Sequence, residues 1–207
     1  MPFNHRTSVT PAITALALLA AAAHASPTLI DFDNLPTSTL VTTQYPGVTF
    51  SSSAGENLYI DGGLPVSYPN YICTGASPST IDCINDVYID FASPVTNVSI
   101  WCVQPNEFGV VATVFAYNGA TLLGTQNIIG LAAAPNSFGY GNVFVDLSSF
   151  GSLTRVEIRG PGGTGPIDNA AGGVGCAWDD LSYTIPAPGA AALLGLGMFA
   201  SSKRRRV

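Results

Sequence analysis

Between residues 26 and 185 no long stretch keeps a helical period; apolar residues come instead in short alternating runs broken by glycine and proline. Such a pattern restricts the chain to strands joined by tight turns. Ile30 and Phe32 alternate with Asp31 and Asp33, and Val87, Ile89 and Phe91 alternate with Asp86, Tyr88 and Asp90. Val156 and Ile158 stand between Arg155, Glu157 and Arg159 in the same way. Each run reads as a half-buried strand, apolar inside and polar outside. Further strands are predicted at residues 47–52, 96–103, 110–117, 121–128, 142–147 and 177–185. The segment 110–117 is apolar on both faces and is expected in the middle of a sheet. Asn118 and Gly119 mark a hairpin turn, and the glycine-rich segment 164–175 reads as a loop. Many short strands at this spacing predict an all-β fold, an antiparallel β-sandwich.

The two ends differ in kind from this middle. Arg6 precedes an apolar stretch over residues 12–23, and Ala23, His24 and Ala25 supply the A-x-A pattern of a cleavage site before Ser26. This order is that of a secretory signal peptide, expected as a helix over residues 1–25. At the other end Pro186, Ala187 and Pro188 precede an apolar run over residues 189–200, then Lys203, Arg204, Arg205 and Arg206. The run holds about a dozen residues, against roughly 20 for a comfortable membrane span. It reads as a short apolar helix, a marginal anchor whose basic flank stays inside. The ectodomain then comprises residues 26–185 and the tail residues 186–207.

A short proline motif, an Ala/Leu/Gly run and a terminal arginine cluster, in that order, resemble the PEP-CTERM sorting signal, with Ala187 where that family usually has Glu. The resemblance implies sorting by an exosortase, a membrane enzyme of Gram-negative bacteria that make extracellular polysaccharide. It implies transient inner-membrane insertion, then residence at the cell surface or in the extracellular matrix. The strand order also resembles the jelly-roll, galactose-binding-like ectodomains often joined to such tails. It does so through residues 30–33, residues 45–50, residues 91–95 and the closing Trp178, Asp179, Asp180, Leu181, Ser182 and Tyr183.

Charge narrows the function. All thirteen acidic residues lie between Asp31 and Asp180, where the only basic residues are Arg155 and Arg159, so this stretch carries 2 − 13 = −11. Phosphate backbones and anionic lipid surfaces repel such a domain, which excludes nucleic acid as a partner, whereas cations are drawn to it. His5 and His24 fall in the signal segment and Lys203 in the tail, so the ectodomain has neither His nor Lys. Ser-His-Asp and Cys-His catalysis each lose an essential member. Only paired carboxylates remain, Asp179 with Asp180 or Glu56 with Asp61, which leaves a carboxylate-dependent glycan hydrolase as the enzymatic alternative. The leading expectation is non-catalytic: a surface or matrix protein associated with polysaccharide, or a purely structural, adhesive one.

Four cysteines in an exported chain read as two disulfides, with three pairings open. Gly75 and Pro78 let the segment between Cys73 and Cys83 loop back, which favours that bridge and leaves Cys102 with Cys176. Zinc is disfavoured, since the domain has no histidine and no C-x-x-C pair. If the first and last strands lie side by side, Asp31 and Asp33 approach Asp179 and Asp180, an arrangement of oxygens suited to calcium; a solvated acidic face is the plain alternative. In a regular strand Asp179 shares the face of Leu181 and Tyr183 and points inward, where a carboxylate needs a cation or several N–H donors. Tyr59, Tyr68, Tyr71 and Tyr88 are expected in loops or on outward positions, and Trp101 outward. Tyr59, Tyr88 and Trp101 are the candidates for stacking a sugar ring, with packing beneath loops as the alternative for each.

Overall fold

The computed structural model describes residues 25–53, 55–63, 65–103, 109–130, 142–167 and 175–187. Residues 1–24 of the expected signal peptide, the run over residues 189–200 expected as an apolar helix, Pro188, Arg204, Arg205 and Arg206 lie outside the described residues. Eleven strands account for most of the described chain: β1 Pro27–Ile30, β2 Val48–Ser52, β3 Asn57–Gly62, β4 Asn70–Ser77, β5 Thr80–Ile81, β6 Val87–Val103, β7 Gly109–Asn118, β8 Thr121–Gly130, β9 Val143–Asp146, β10 Leu153–Arg159 and β11 Ala177–Thr184. Every ladder is antiparallel, and the main path runs β3-β4-β11-β6-β10-β7-β8. The all-β antiparallel expectation holds, β7 is interior, and β1 lies against β11 as first beside last.

The long strand β6 organises the rest. Its first part pairs β2 and β10, and its last part pairs β11 and β9, so one strand belongs to two sheets. The expected pair of strands over residues 86–91 and 96–103 is therefore one element of 17 residues. Pro94, which has no N–H to give to a ladder, falls in the exposed stretch between the two parts. Asn97, at φ 52°, shifts the alternation: Val87, Ile89 and Phe91 face the core before it, Val98, Ile100 and Cys102 after it. Asn and Asp enter the left-handed region more easily than other side-chain-bearing residues.

The two sheets close over one apolar core. Ile60, Ile72 and Trp178 of the first sheet join Val114, Val156 and Ile158 of the second. Among the described residues the core lies between Ile30 and Tyr183, and residues 25–186 form a compact unit. A unit that holds its own core is the kind that can fold alone.

Three expectations are corrected. The strand predicted over residues 30–33 ends at Ile30. Phe32 leaves it at φ 59°, an unfavourable conformation for a bulky residue, offset by full burial and edge-on contacts with Tyr45 at 5.6 Å and Phe50 at 5.7 Å. Strands β3 and β4 occupy a region where no strand is predicted from sequence. The Cys73–Cys83 bridge forms, with Cα atoms 4.7 Å apart, but Cys102 keeps a buried free thiol and is not bridged to Cys176. Both of those cysteines belong to the main core, where Cys102 packs as a small apolar side chain.

Candidate functional site

The first sheet carries a second, thinner layer on its outer face. Cys73, Cys83, Val103 and Ala177 form a small cluster with Val66, Tyr71 and Ile81 packed against it. Gly75 lets the returning chain come this close: a Cβ there would collide with the Thr80 carbonyl oxygen. The disulfide staples this layer to β4.

Asp179 sits at its edge. Trp178 and Leu181 both face the main core, and the ladder with β6 shifts between Asp179 and Ser182. Asp180, at φ 48°, makes the bulge. Asp179 is thereby turned away from the face of Leu181 and Tyr183, against expectation, and its burial comes from the β3–β4 connection lying over it. The Val66 and Ser67 N–H groups each donate to its Oδ2 at 2.9 Å, and the Asp180 N–H donates to Oδ1 at 2.8 Å. Several N–H donors, the second of the two ways to hold a buried carboxylate, are what the structure supplies. Burial nevertheless outweighs these bonds and pushes the Asp179 carboxyl up to about 6, with the neighbouring Asp180 charge adding to the rise.

The other three carboxylates are neighbours. The Ser67 hydroxyl donates to Asp180 Oδ1 at 2.9 Å, the Asn70 N–H to Asp33 Oδ1 at 2.9 Å, and the Asp33 N–H to Asp31 Oδ1 at 3.2 Å. Asp180 is raised above the ordinary range, first by burial, then by the Asp31 and Asp33 charges. Asp180 thus stands near Asp31 and Asp33 and beside Asp179, and each of the four spends oxygens on backbone or hydroxyl donors. Among the described residues no group of three or more His, Cys, Asp and Glu side chains converges to hold a metal ion.

The aromatic candidates separate. Tyr59 is buried opposite Cys73 in the β3–β4 ladder, so it packs inside, as its alternative reading has it, and does not stack a ligand. Tyr71 is partly buried and shares a hydrogen bond with Asp61; burial first, then the Asp61 charge, push its hydroxyl up to about 12. Tyr68 is 83% exposed in the β3–β4 connection. Trp101 faces outward as expected, paired across the ladder with Phe144 at a centroid distance of 5.0 Å and an interplanar angle of 52°. Phe144 is 51% exposed. It had no signal of its own in the sequence, since only its ladder register places it beside Trp101.

Tyr88 lies on the outer face of the second sheet. Its hydroxyl donates to Asp86 at 3.0 Å and is raised, first by burial. Arg155 lies 5.2 Å from its ring centroid, and Arg159 lies 5.2 Å from that of Phe115. Buried Glu157 stands between the two arginines and pairs with both, to Arg155 Nε at 3.0 Å and to an Arg159 terminal nitrogen. Arg155 also approaches Asp90 Oδ1 at 3.5 Å, so both basic residues of the stretch 26–185 are engaged by carboxylates and the remaining acids are left unbalanced.

The fold and its surfaces define an all-β antiparallel sandwich domain with a disulfide-stapled outer layer. No family model and no curated protein matches the chain. Among solved structures it is similar to the K1 cleaved adhesin domain of Lys-gingipain from Porphyromonas gingivalis W83, at 15% identity over 77% of this chain and 98% of that one, with a TM-score of 0.34. It is similar to the K2 cleaved adhesin domain of Lys-gingipain at 15% identity over 77% of this chain and 90% of that one, with a TM-score of 0.35. Both likenesses are too low to assign a family or an activity. Among the described residues no helix is long and apolar enough to cross a membrane.

Proposed function

We propose that the chain is an exported, non-catalytic surface or extracellular-matrix component whose jelly-roll-like, galactose-binding-like ectodomain associates with extracellular polysaccharide. The carrying observation is the outward Trp101–Phe144 pair, a partly exposed apolar surface on neighbouring strands with Asp146 and Ser99 paired two residues along the same ladder. Sugar rings pack on such surfaces through their C–H faces, while flanking polar groups meet the hydroxyls. The Cys73–Cys83 bridge supports an oxidising location. The lack of His and Lys across residues 26–185 supports a binding role over catalysis. Pro186, Ala187 and Pro188 with Arg204, Arg205 and Arg206 serve as the address for an exosortase-type enzyme during transient insertion in the inner membrane.

The test is retention of the 25–186 fragment on extracellular polysaccharide of an exosortase-bearing bacterium. Wild type is expected to be retained, and the Trp101→Ala/Phe144→Ala double variant to lose retention at least tenfold while melting as wild type does. Retention that ignores the double variant, or no retention of wild type, rejects the reading. Release of reducing sugar by the fragment, abolished in Asp179→Asn or Asp180→Asn, would replace it with hydrolysis.

A further inference from the structure

Strand β8 ends the strand path and, among the described residues, bonds only to β7. At the other end of the path the chain covers its own edge. The Ser38 and Val41 N–H groups donate to the Ile60 and Leu58 carbonyls, and the Ile60 N–H donates to Thr39. The β2 edge is met likewise, by the Phe50 N–H donating to Thr42. Exposed edges are usually blunted by charge, proline or cover, because their free N–H and C=O groups template a further strand. Over its ten residues β8 has no charge and no proline. It exposes Leu122 (47%), Leu123 (39%) and Ile129 (48%).

We infer that β8 is a self-association edge, pairing antiparallel with β8 of a second copy about a two-fold axis at Gln126. The register follows from the ladder to β7. Gly124 pairs Ala116 and Leu122 pairs Tyr117, which leaves Leu123 as the extra residue of a bulge. A two-fold axis at Gln126 places Thr125 opposite Asn127 and Gly124 opposite Ile128. The bulged pair Leu122 and Leu123 then falls opposite Ile129. Every cross-strand pair keeps its face, and all three exposed apolar side chains of the strand find a partner. The same surface patch serves both copies, so the interface closes as a dimer.

The self-complementary register selects a second copy as the occupant, and charge limits where two copies can meet. The stretch from Asp31 to Asp180 holds thirteen acidic residues, so two copies repel each other over most orientations. The neutral strip of β8 lets backbones approach without bringing carboxylates together. The dimer is independent of the polysaccharide reading, because β8 lies in the second sheet and the Trp101–Phe144 pair in the first.

Sedimentation of the 25–186 fragment over a concentration series provides the test. Wild type is expected to pass from the monomer mass to twice that mass as concentration rises. Thr125→Lys/Asn127→Lys and Thr125→Glu/Asn127→Glu variants, both at exposed positions, set like charges opposite each other and are expected to stay monomeric. Mixed one to one, they are expected to recover the doubled mass, since each Lys then faces a Glu. That recovery also shows that neither variant has unfolded. Wild type monomeric at every concentration, variants that still dimerise alone, or a mixture that stays monomeric would each overturn the inference.

Discussion

Asp179 shows how one side chain can be both well bonded and held at a cost. Three N–H groups stabilise its anion, yet burial raises its carboxyl to about 6 against an ordinary 3.8. Between those values the folded protein keeps a proton that the unfolded chain has released. Stability must therefore fall as pH rises from about 4 to about 6, and Asp180, also raised, acts in the same direction. The shift corresponds to an upper bound of ~3 kcal/mol at neutral pH. Urea midpoints of the 25–186 fragment across that window should decline in wild type. In Asp179→Asn most of the decline should vanish; an unchanged slope would show that the carboxyl does not titrate there. Residue-level reading of the sequence placed Asp179 in a buried setting correctly but on the wrong face. The bulge at Asp180 has no glycine to announce it, and an Asp in the left-handed region is legible only from the backbone.

Elements differ in how much of themselves they show in sequence, and the difference is burial on the second face. In β10 Val156 and Ile158 face the core while Arg155 and Arg159 remain part-exposed, so alternation survives and the strand was legible. In β4 Ile72, Cys73, Thr74 and Gly75 are all buried, because the outer layer covers the face that would otherwise be polar. A strand covered on both sides and built from Cys, Thr and Gly has neither alternation nor a long apolar run, which is why no strand is predicted at β4. The proximity of Asp180 to Asp31 and Asp33 was legible because first and last strands adjoin; Phe144 was not, because it needs a ladder register. The outer layer is thin, so its staple should matter. Closing the segment between Cys73 and Cys83, ten residues apart in sequence, should contribute ~3 kcal/mol through the entropy removed from the unfolded chain. A Cys73→Ser/Cys83→Ser variant is expected to lose about that much in urea unfolding, and an equal stability for variant and wild type would show that the layer holds without it.

At the scale of the whole molecule the dominant fact is unbalanced negative charge. Arg155 and Arg159 are the only basic residues between residues 26 and 185, against thirteen acidic ones, and both are already engaged by Glu157 and Asp90. Self-repulsion of this kind disfavours the compact state and is relieved by any electrolyte. Sodium chloride should accordingly raise the melting temperature of the 25–186 fragment. Calcium separates general screening from a built site. Asp31, Asp33, Asp179 and Asp180 each spend oxygens on hydrogen-bond donors, and a bound calcium would have to displace several of these to complete six to eight oxygen ligands. Calcium chloride is therefore expected to raise the melting temperature no more than magnesium chloride at equal ionic strength, and EDTA to leave it unchanged. A rise specific to calcium, lost in Asp33→Asn and in Asp180→Asn, would instead mean that the β3–β4 connection yields its hydrogen bonds to the ion.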